Sequence, residues 1–339
     1  AGSSTPVPQD WISKAFSINN LQTAISPDGQ WLASIINQGN GDILHVISTS
    51  DENHILEGAP DDNLDIISWA PNNSSILAAN INWPDPSPCH FRNAVIYSLA
   101  ENATELSQIK FVPSNNDYEY CFVSAWAPDG KELAISFTYH DFYIIDVQGR
   151  VLYEAAPKSD ATSYLMGIWW TNAGLIQRVR DNTGDELRLI DTNSPEQYST
   201  LMRQAGGDLL FLGSDSNATK LLLSSDSYAE NNQGVFHLQV LEVKTKKILF
   251  NQVIDGQVCT SSGSNETGYT ALQIAEPNQP CGGTTYLWIY DWQSGEFTKL
   301  FPISALLGWH DNPDGFEVIT ETASNGYMMT VVSPQNNHE

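Results

Sequence analysis

Positive charge is scarce in this chain. Lys and Arg total 15 against 40 Asp and Glu in 339 residues, a formal net charge of −25. Such a surface repels phosphate backbones and anionic headgroups, so nucleic acid is not expected as a partner. Cations, basic proteins and neutral sugars remain, although net charge speaks first to solubility. Long apolar runs are also missing. No stretch approaches the length of a membrane span, so membrane insertion is not expected. Segments with a convincing helical period of 3.6 are almost absent. Cysteine is sparse, with only Cys89, Cys121, Cys259 and Cys281. They include no C-x-x-C pair, which argues against a zinc site and a redox motif. Their even count suggests pairing in an oxidising compartment. The first residue, Ala1, suggests a mature chain whose targeting peptide has been removed. The expected location is secreted, extracellular or at the cell surface, with the periplasm as the alternative.

Recognisable catalytic machinery is lacking too. There is no Gly-x-Ser-x-Gly, hence no nucleophile elbow. The seven His residues show neither H-E-x-x-H spacing nor a paired metal arrangement.

What is present is a core-forming composition, 41% hydrophobic and 10% aromatic, and an internal repeat. The repeat reads Ala24-Ile25-Ser26-Pro27-Asp28-Gly29-Gln30-Trp31-Leu32-Ala33. It returns as Ser68-Trp69-Ala70-Pro71-Asn72-Asn73-Ser74-Ser75-Ile76-Leu77 and as Ala125-Trp126-Ala127-Pro128-Asp129-Gly130-Lys131-Glu132-Leu133-Ala134. Weaker copies follow around Trp169–Ile176, Gly213–Leu222, Ser261–Thr267 and Gly308–Val318. Each copy is an apolar strand, a turn and a second strand. Pro pre-sets φ in the turn, while Asp, Asn and Gly tolerate the reversal. A third strand follows each pair and a fourth closes most units. Turns at Asp28, Asn72, Asp129, Ala173, Ser216, Asn265 and Asp314 lie 44, 57, 44, 43, 49 and 49 residues apart. Four strands at a spacing of roughly 40–50 residues is the blade period of a propeller. The last unit lacks a fourth strand, and the segment Trp11–Phe16 is expected to supply it, closing the ring and removing an exposed sheet edge.

The Ser/Ala-Pro-Asp-Gly-x-x-Leu-Ala runs resemble the WD40-like Pro-Asp repeats of TolB-type propellers. They are also similar to the propeller domains of prolyl-oligopeptidase-family peptidases, here with no hydrolase motif. The expected fold is all-β: a seven-bladed β-propeller of four-stranded antiparallel blades, closed by the N-terminal strand. The expected organisation is a tail over 1–10, one propeller domain over 11–335 and a tail over 336–339. A repeat that is a turn identifies a fold and not a function.

With strands A to D running outward from the axis, the A–B and C–D turns share one face. The B–C and D–A loops share the other. Cys89 and Cys121 then fall on the B–C/D–A face of neighbouring blades, and Cys259 and Cys281 on the same face of one blade. Pairings 89–121 and 259–281 follow, since the other pairings would link distant blades. The sequons at Asn72, Asn73, Asn102, Asn217 and Asn265 fall on the opposite face and are candidate glycosylation sites. Turns are rich in Asn, Ser and Thr in any case.

Two segments are oxygen-rich, Asp181-Asn182-Thr183-Gly184-Asp185-Glu186 and Asp61-Asp62-Asn63-Leu64-Asp65. Both read first as turns. A weak calcium site with Asp181, Asp185, Asp61 and Asp65 is the alternative, and no cofactor other than such a Ca2+ is expected. Trp69, Trp126, Trp169 and Trp309 precede turns and read as packing between blades. Trp83 differs: it stands in the Pro-rich run Asn82–Cys89, a rigid loop presenting an aromatic. His90, Tyr139, His140 and Arg180 are the other recognition candidates on that face.

The expected function is a secreted, non-enzymatic surface module that binds a protein or glycan. The alternative is a structural subunit that self-associates into a cell-surface oligomer or filament. The second alternative is a hydrolase or lyase with a site at the central channel.

Overall fold

The computed structural model describes residues 12–18, 23–37, 41–51, 54–61, 64–82, 90–99, 106–112, 122–137, 142–155, 164–228, 234–263, 268–277, 279, 281, 283–311, 314–321 and 327–332. Among these there is no helix. After an N-terminal strand β1 (Ile12–Ile18), the strands fall into four-stranded sheets in chain order. The first holds β2 (Thr23–Ile25), β3 (Trp31–Asn37), β4 (Asp42–Ser48) and β5 (Ile55–Glu57). The second holds β6 (Leu64–Trp69), β7 (Ser75–Asn82), β8 (His90–Ser98) and β9 (Ser107–Phe111). The third holds β10 (Phe122–Trp126), β11 (Glu132–Phe137), β12 (Phe142–Asp146) and β13 (Val151–Ala155). The fourth holds β14 (Tyr164–Thr171), β15 (Gly174–Asp181), β16 (Gly184–Ile190) and β17 (Tyr198–Ala205). The fifth holds β18 (Leu209–Ser214), β19 (Lys220–Tyr228), β20 (Gly234–Glu242) and β21 (Lys247–Ile254). The sixth holds β22 (Val258–Gly263), β23 (Tyr269–Ala275), β24 (Thr285–Asp291) and β25 (Phe297–Ile303). In the last sheet β26 (Ala305–Asp311), β27 (Asp314–Glu321) and β28 (Tyr327–Val332) are joined by β1, which pairs antiparallel with β28 from Ile12↔Val332 to Ile18↔Tyr327.

The chain divides into two compact units. Unit 1 comprises Ala1–Asn19, Thr183–Leu187 and Thr200–Glu339; unit 2 comprises Asn20–Asn182 and Arg188–Ser199. Each has its own core between neighbouring sheets. In unit 2, Leu77, Ala79 and Ile96 pack with Trp126, Leu133, Ile135 and Tyr143. In unit 1, Leu222, Leu238 and Val240 pack with Leu272, Ile274 and Tyr290. Inner strands are buried on both faces, as in the wholly buried β12, whereas the fourth strands β13 and β21 are largely exposed.

The repeat turn has one geometry. The N–H groups of Gly29, Asn73, Gly130 and Ala218 donate to the carbonyls of Ser26, Ala70, Ala127 and Asp215 at 2.8, 3.0, 2.8 and 2.8 Å. The donor residue is left-handed each time, with φ of 71°, 62°, 69° and 50°. The fourth turn position therefore needs a positive φ, which Gly takes freely and Asn tolerates. Ala218 does not, and it is buried. The change Ala218→Gly is expected to stabilise the protein by about 1 kcal/mol. A urea midpoint that stays level or falls would contradict this.

The fourth unit departs from the repeat. Its first hairpin has a two-residue loop, Asn172-Ala173, with Thr171 opposite Gly174 and the Thr171 hydroxyl donating to the Gly174 carbonyl at 2.9 Å. Its fourth strand β17 has an irregular polar pattern with Leu201 as its one buried residue.

The third strands carry a second repeated device that the turn motif does not announce. Asp146 and Asp291 end a third strand and Asp191 directly follows one, and each caps the following turn. The Asp146 carboxylate accepts the Gln148 and Arg150 N–H groups at 3.0 and 2.9 Å and the Arg150 guanidinium at 2.6 Å. Asp191 accepts from Asn193 N–H at 3.0 Å, and Asp291 from Gln293 N–H at 2.7 Å. Burial pushes the Asp146 carboxyl up, but the Arg150 and Gln148 N–H bonds and the guanidinium outweigh it and hold it below the usual carboxylate range. A depressed folded value stabilises above the unfolded carboxylate value of about 4, and that contribution is lost as pH falls through the folded value. Asp146→Ala is accordingly expected to cost about 1–2 kcal/mol at neutral pH. The gap to wild type should narrow as pH falls below about 4 in pH-dependent denaturation; a constant gap would count against it.

Candidate functional site

Bonds between neighbouring turns of unit 2 position this site. Trp69 Nε1 donates to the Ala24 carbonyl at 3.1 Å, and Trp126 Nε1 to the Ser68 carbonyl at 3.3 Å. Ala24 and Ser68 hold the same repeat position, so each Trp ties its sheet to the one before. The turn tips are tied as well. Asp28 N–H donates to Asn73 Oδ1 at 2.9 Å, and Asn72 Nδ2 donates to the Asp129 carbonyl at 3.1 Å. Asn72 also accepts from the backbone and hydroxyl of Ser74 at 3.1 and 2.7 Å.

The Asp129 turn forms one wall of an open cleft of ≈ 690 Å³. The cleft lies between the β10–β11 turn, the β14–β15 hairpin and the β16–β17 connection. Its carboxylates are Asp129, Glu132 and Asp191; its amides are Asn172, Asn193 and Gln197; its aromatics are Trp170 and Tyr198. Tyr198 is 51% exposed, with the Arg188 guanidinium stacked 4.3 Å from its ring centre. Lys131 Nζ pairs with Asp129 at 3.1 Å. The Lys131 backbone N–H holds the Asp129 carboxyl below the usual range against the upward push of burial, and the Lys131 ammonium adds to the lowering. Asp129 is therefore ionised at neutral pH. Such a lining suits a cationic or hydroxyl-rich ligand lying against an aromatic face.

The cleft lies on the A–B/C–D side of its sheets, the side expected to carry sequons rather than recognition residues. Sequence reading missed Trp170, Tyr198 and Asp191. The adjacent pair Trp169-Trp170 was a usable signal, since consecutive strand residues point to opposite faces and only one of them can take the repeat's packing role.

The residues singled out from sequence fall as follows. Cys259 lies in β22 and Cys281 in the β23–β24 connection; they form a disulfide with Cα atoms 5.4 Å apart. Cys89, Cys121, Asn102, Asn265, Trp83, Tyr139 and His140 lie outside the described residues. His90 opens β8, and Asp65 lies in β6. Asn217 is exposed at its turn tip. Asp61 bridges through its backbone to Asp42, and its carboxylate meets Lys110 Nζ at 2.6 Å. Asp181 ends β15 half-buried, and Asn182-Thr183 is a hairpin loop. Asp185 is fully buried and accepts the Leu209 N–H at 2.9 Å. Asp61 and Asp185 are thus engaged by protein groups. No cluster of three or more potential metal ligands occurs among the described residues. Arg178 is buried on β15, and Arg180 is half-buried near its end.

The fold is that of the WD40-like and prolyl-oligopeptidase-type propellers. A structure from a mechanistic study of two prolyl endopeptidases is 12% identical, with a TM-score of 0.57, over 91% of this chain and 47% of that one. Prolyl oligopeptidase B from Galerina marginata is 14% identical, with a TM-score of 0.60, over 92% of this chain and 46% of that one. The present chain thus spans about half the length of these peptidases. Among WD40 proteins, the domain from Toxoplasma gondii coronin is 12% identical, with a TM-score of 0.59, over 99% of this chain and 90% of that one. A chain of a mitotic checkpoint complex is 12% identical, with a TM-score of 0.60, over 98% of both chains. No family model matches the chain, and no curated protein matches it by sequence.

Proposed function

We propose that this protein is a non-enzymatic binding module that holds a basic segment of a partner protein in the cleft of unit 2. The observation that carries this reading is the lining itself: Asp129, Glu132 and Asp191 stand beside Trp170 and the half-exposed Tyr198. The nearby cations are engaged, Lys131 with Asp129 and Arg188 with the Tyr198 ring. A Lys or Arg side chain would find carboxylates for its head and aromatic faces for its stem. The net charge of −25 draws basic partners and speeds their encounter. Likeness to a chain of a checkpoint complex favours a protein partner over a glycan.

The scaffold in this reading is a seven-bladed propeller closed by its N-terminal strand, which the pairing of β1 with β28 supports. The Cys259–Cys281 disulfide supports secretion or another oxidising compartment.

The test is titration of the protein with Lys/Arg-rich, acidic and neutral peptides and with neutral oligosaccharides. Basic peptides should bind, and Tyr198→Ala and Asp191→Asn should each weaken them about tenfold. Oligosaccharide binding without peptide binding would replace the reading with a glycan module. Peptide binding indifferent to both substitutions would move the site elsewhere.

A further inference from the structure

The fifth sheet ends on an edge strand, β21. β21 exposes Ile248, Leu249 and Val253 at 46%, 51% and 60%. As the last strand of its sheet, β21 has a partner strand on one side alone, and its other side can template another strand. Charge is distributed along it with a direction. Lys244, Lys246 and Lys247, three of the chain's 15 basic residues, stand exposed at its start. Asp255 stands exposed just past its end.

We propose that β21 is a self-recognition surface, where a second copy of this chain pairs its own β21 antiparallel across a two-fold axis. Antiparallel pairing brings the lysine end of each strand over the aspartate end of the other. It also sets Ile248 and Leu249 of one copy near Val253 of its partner. A two-fold contact must be self-complementary, and a strand basic at one end and acidic at the other is complementary to its own reverse. Lysines on an edge commonly discourage pairing. Here they discourage parallel or shifted pairing, which would set like charges together, and favour the one arrangement that sets the lysine end of each strand against Asp255 of the other. The occupant is a second copy rather than an unrelated strand because both halves of the charge match are supplied by this one segment. The surface lies in unit 1, is independent of the cleft, and would double the number of clefts per particle.

The experiment is sedimentation velocity on the full chain across a concentration series, for wild type and three variants. Wild type should form a dimer with a dissociation constant in the micromolar range, as expected for a small edge contact. Reversing Lys246→Glu with Lys247→Glu should weaken it at least about tenfold, and so should Asp255→Lys alone. Combining all three reverses the strand's polarity and should restore the dimer. All these positions are exposed, so unchanged thermal midpoints would show that folding is intact. A wild type that stays monomeric at about 100 μM, far above that range, overturns the proposal. So does a dimer insensitive to the reversals, or one that the triple variant does not restore. Basic-peptide binding measured on the same variants should be unchanged, which separates failure of this proposal from failure of the cleft reading.

Discussion

Trp126→Ala should destabilise the protein by about 3–5 kcal/mol, the usual cost of deleting a buried Trp. Trp126 is 8% exposed and packs with Leu77, Ile96 and Leu133, side chains from two sheets. Its loss removes contacts in both sheets at once, because the ring fills the space between them. The indole N–H adds a bond to the Ser68 carbonyl across that space. Trp126→Phe separates the two contributions. It keeps most of the apolar volume and loses the donor, so it should cost about 1–2 kcal/mol from the bond and the smaller ring. Urea denaturation of the two variants is the measurement. Equal costs would mean that the bond, and not the packing, joins the sheets. A cost below about 1 kcal/mol for the alanine would mean that the sheets are held mainly by other contacts.

Gly184→Ala should be of similar size, roughly 3 kcal/mol or more. Gly184 has φ of 140°, a conformation that L side chains rarely adopt. A Cβ there would stand 2.0 Å from the Gln204 carbonyl oxygen and 3.0 Å from the Ala205 Cα. Both neighbours are backbone, so no rotamer change relieves the clash, and β16 or β17 must shift. The next residue, Asp185, holds the Leu209 N–H in the interior, so a shift there would strain that bond as well. The expected readout is a lowered thermal midpoint, or loss of soluble protein in the variant. Wild-type stability would show that the two strands separate cheaply.

Gly184 and Asp185 also show why a motif misleads when read alone. The run Asp181–Glu186 offers many oxygens, and its pattern suits a cation as well as a turn. Packing is what distinguishes them. Glycine is required by the close approach of Gln204, and Asp185 turns inward to a backbone donor. Neither partner is near in sequence, so no local pattern could reveal them.

The repeat was legible for the opposite reason, since its determinants are local. Pro27, Pro71 and Pro128 fix one turn angle, and the next residues accept the reversal. Trp69 and Trp126 stood out by position, and their packing role followed from burial at a fixed place before each turn. The strand Tyr198–Ala205 was not legible, because an exposed edge strand with Leu201 alone buried carries no alternation to read. That omission hid the cleft, since Tyr198 starts this strand. The remaining lining comes from three segments between residues 127 and 199, which only the fold brings together.

Asn72 has a consequence for any modification of this surface. Its amide nitrogen, where an N-linked sugar would be attached, already reaches the Asp129 carbonyl. Gly130 lies so close that a methyl group there would meet the Asn72 carboxamide at 2.4 Å. A sugar at Asn72 and the Asp129 turn in its present position would compete for the same space, so glycosylation there would push aside the wall of the cleft.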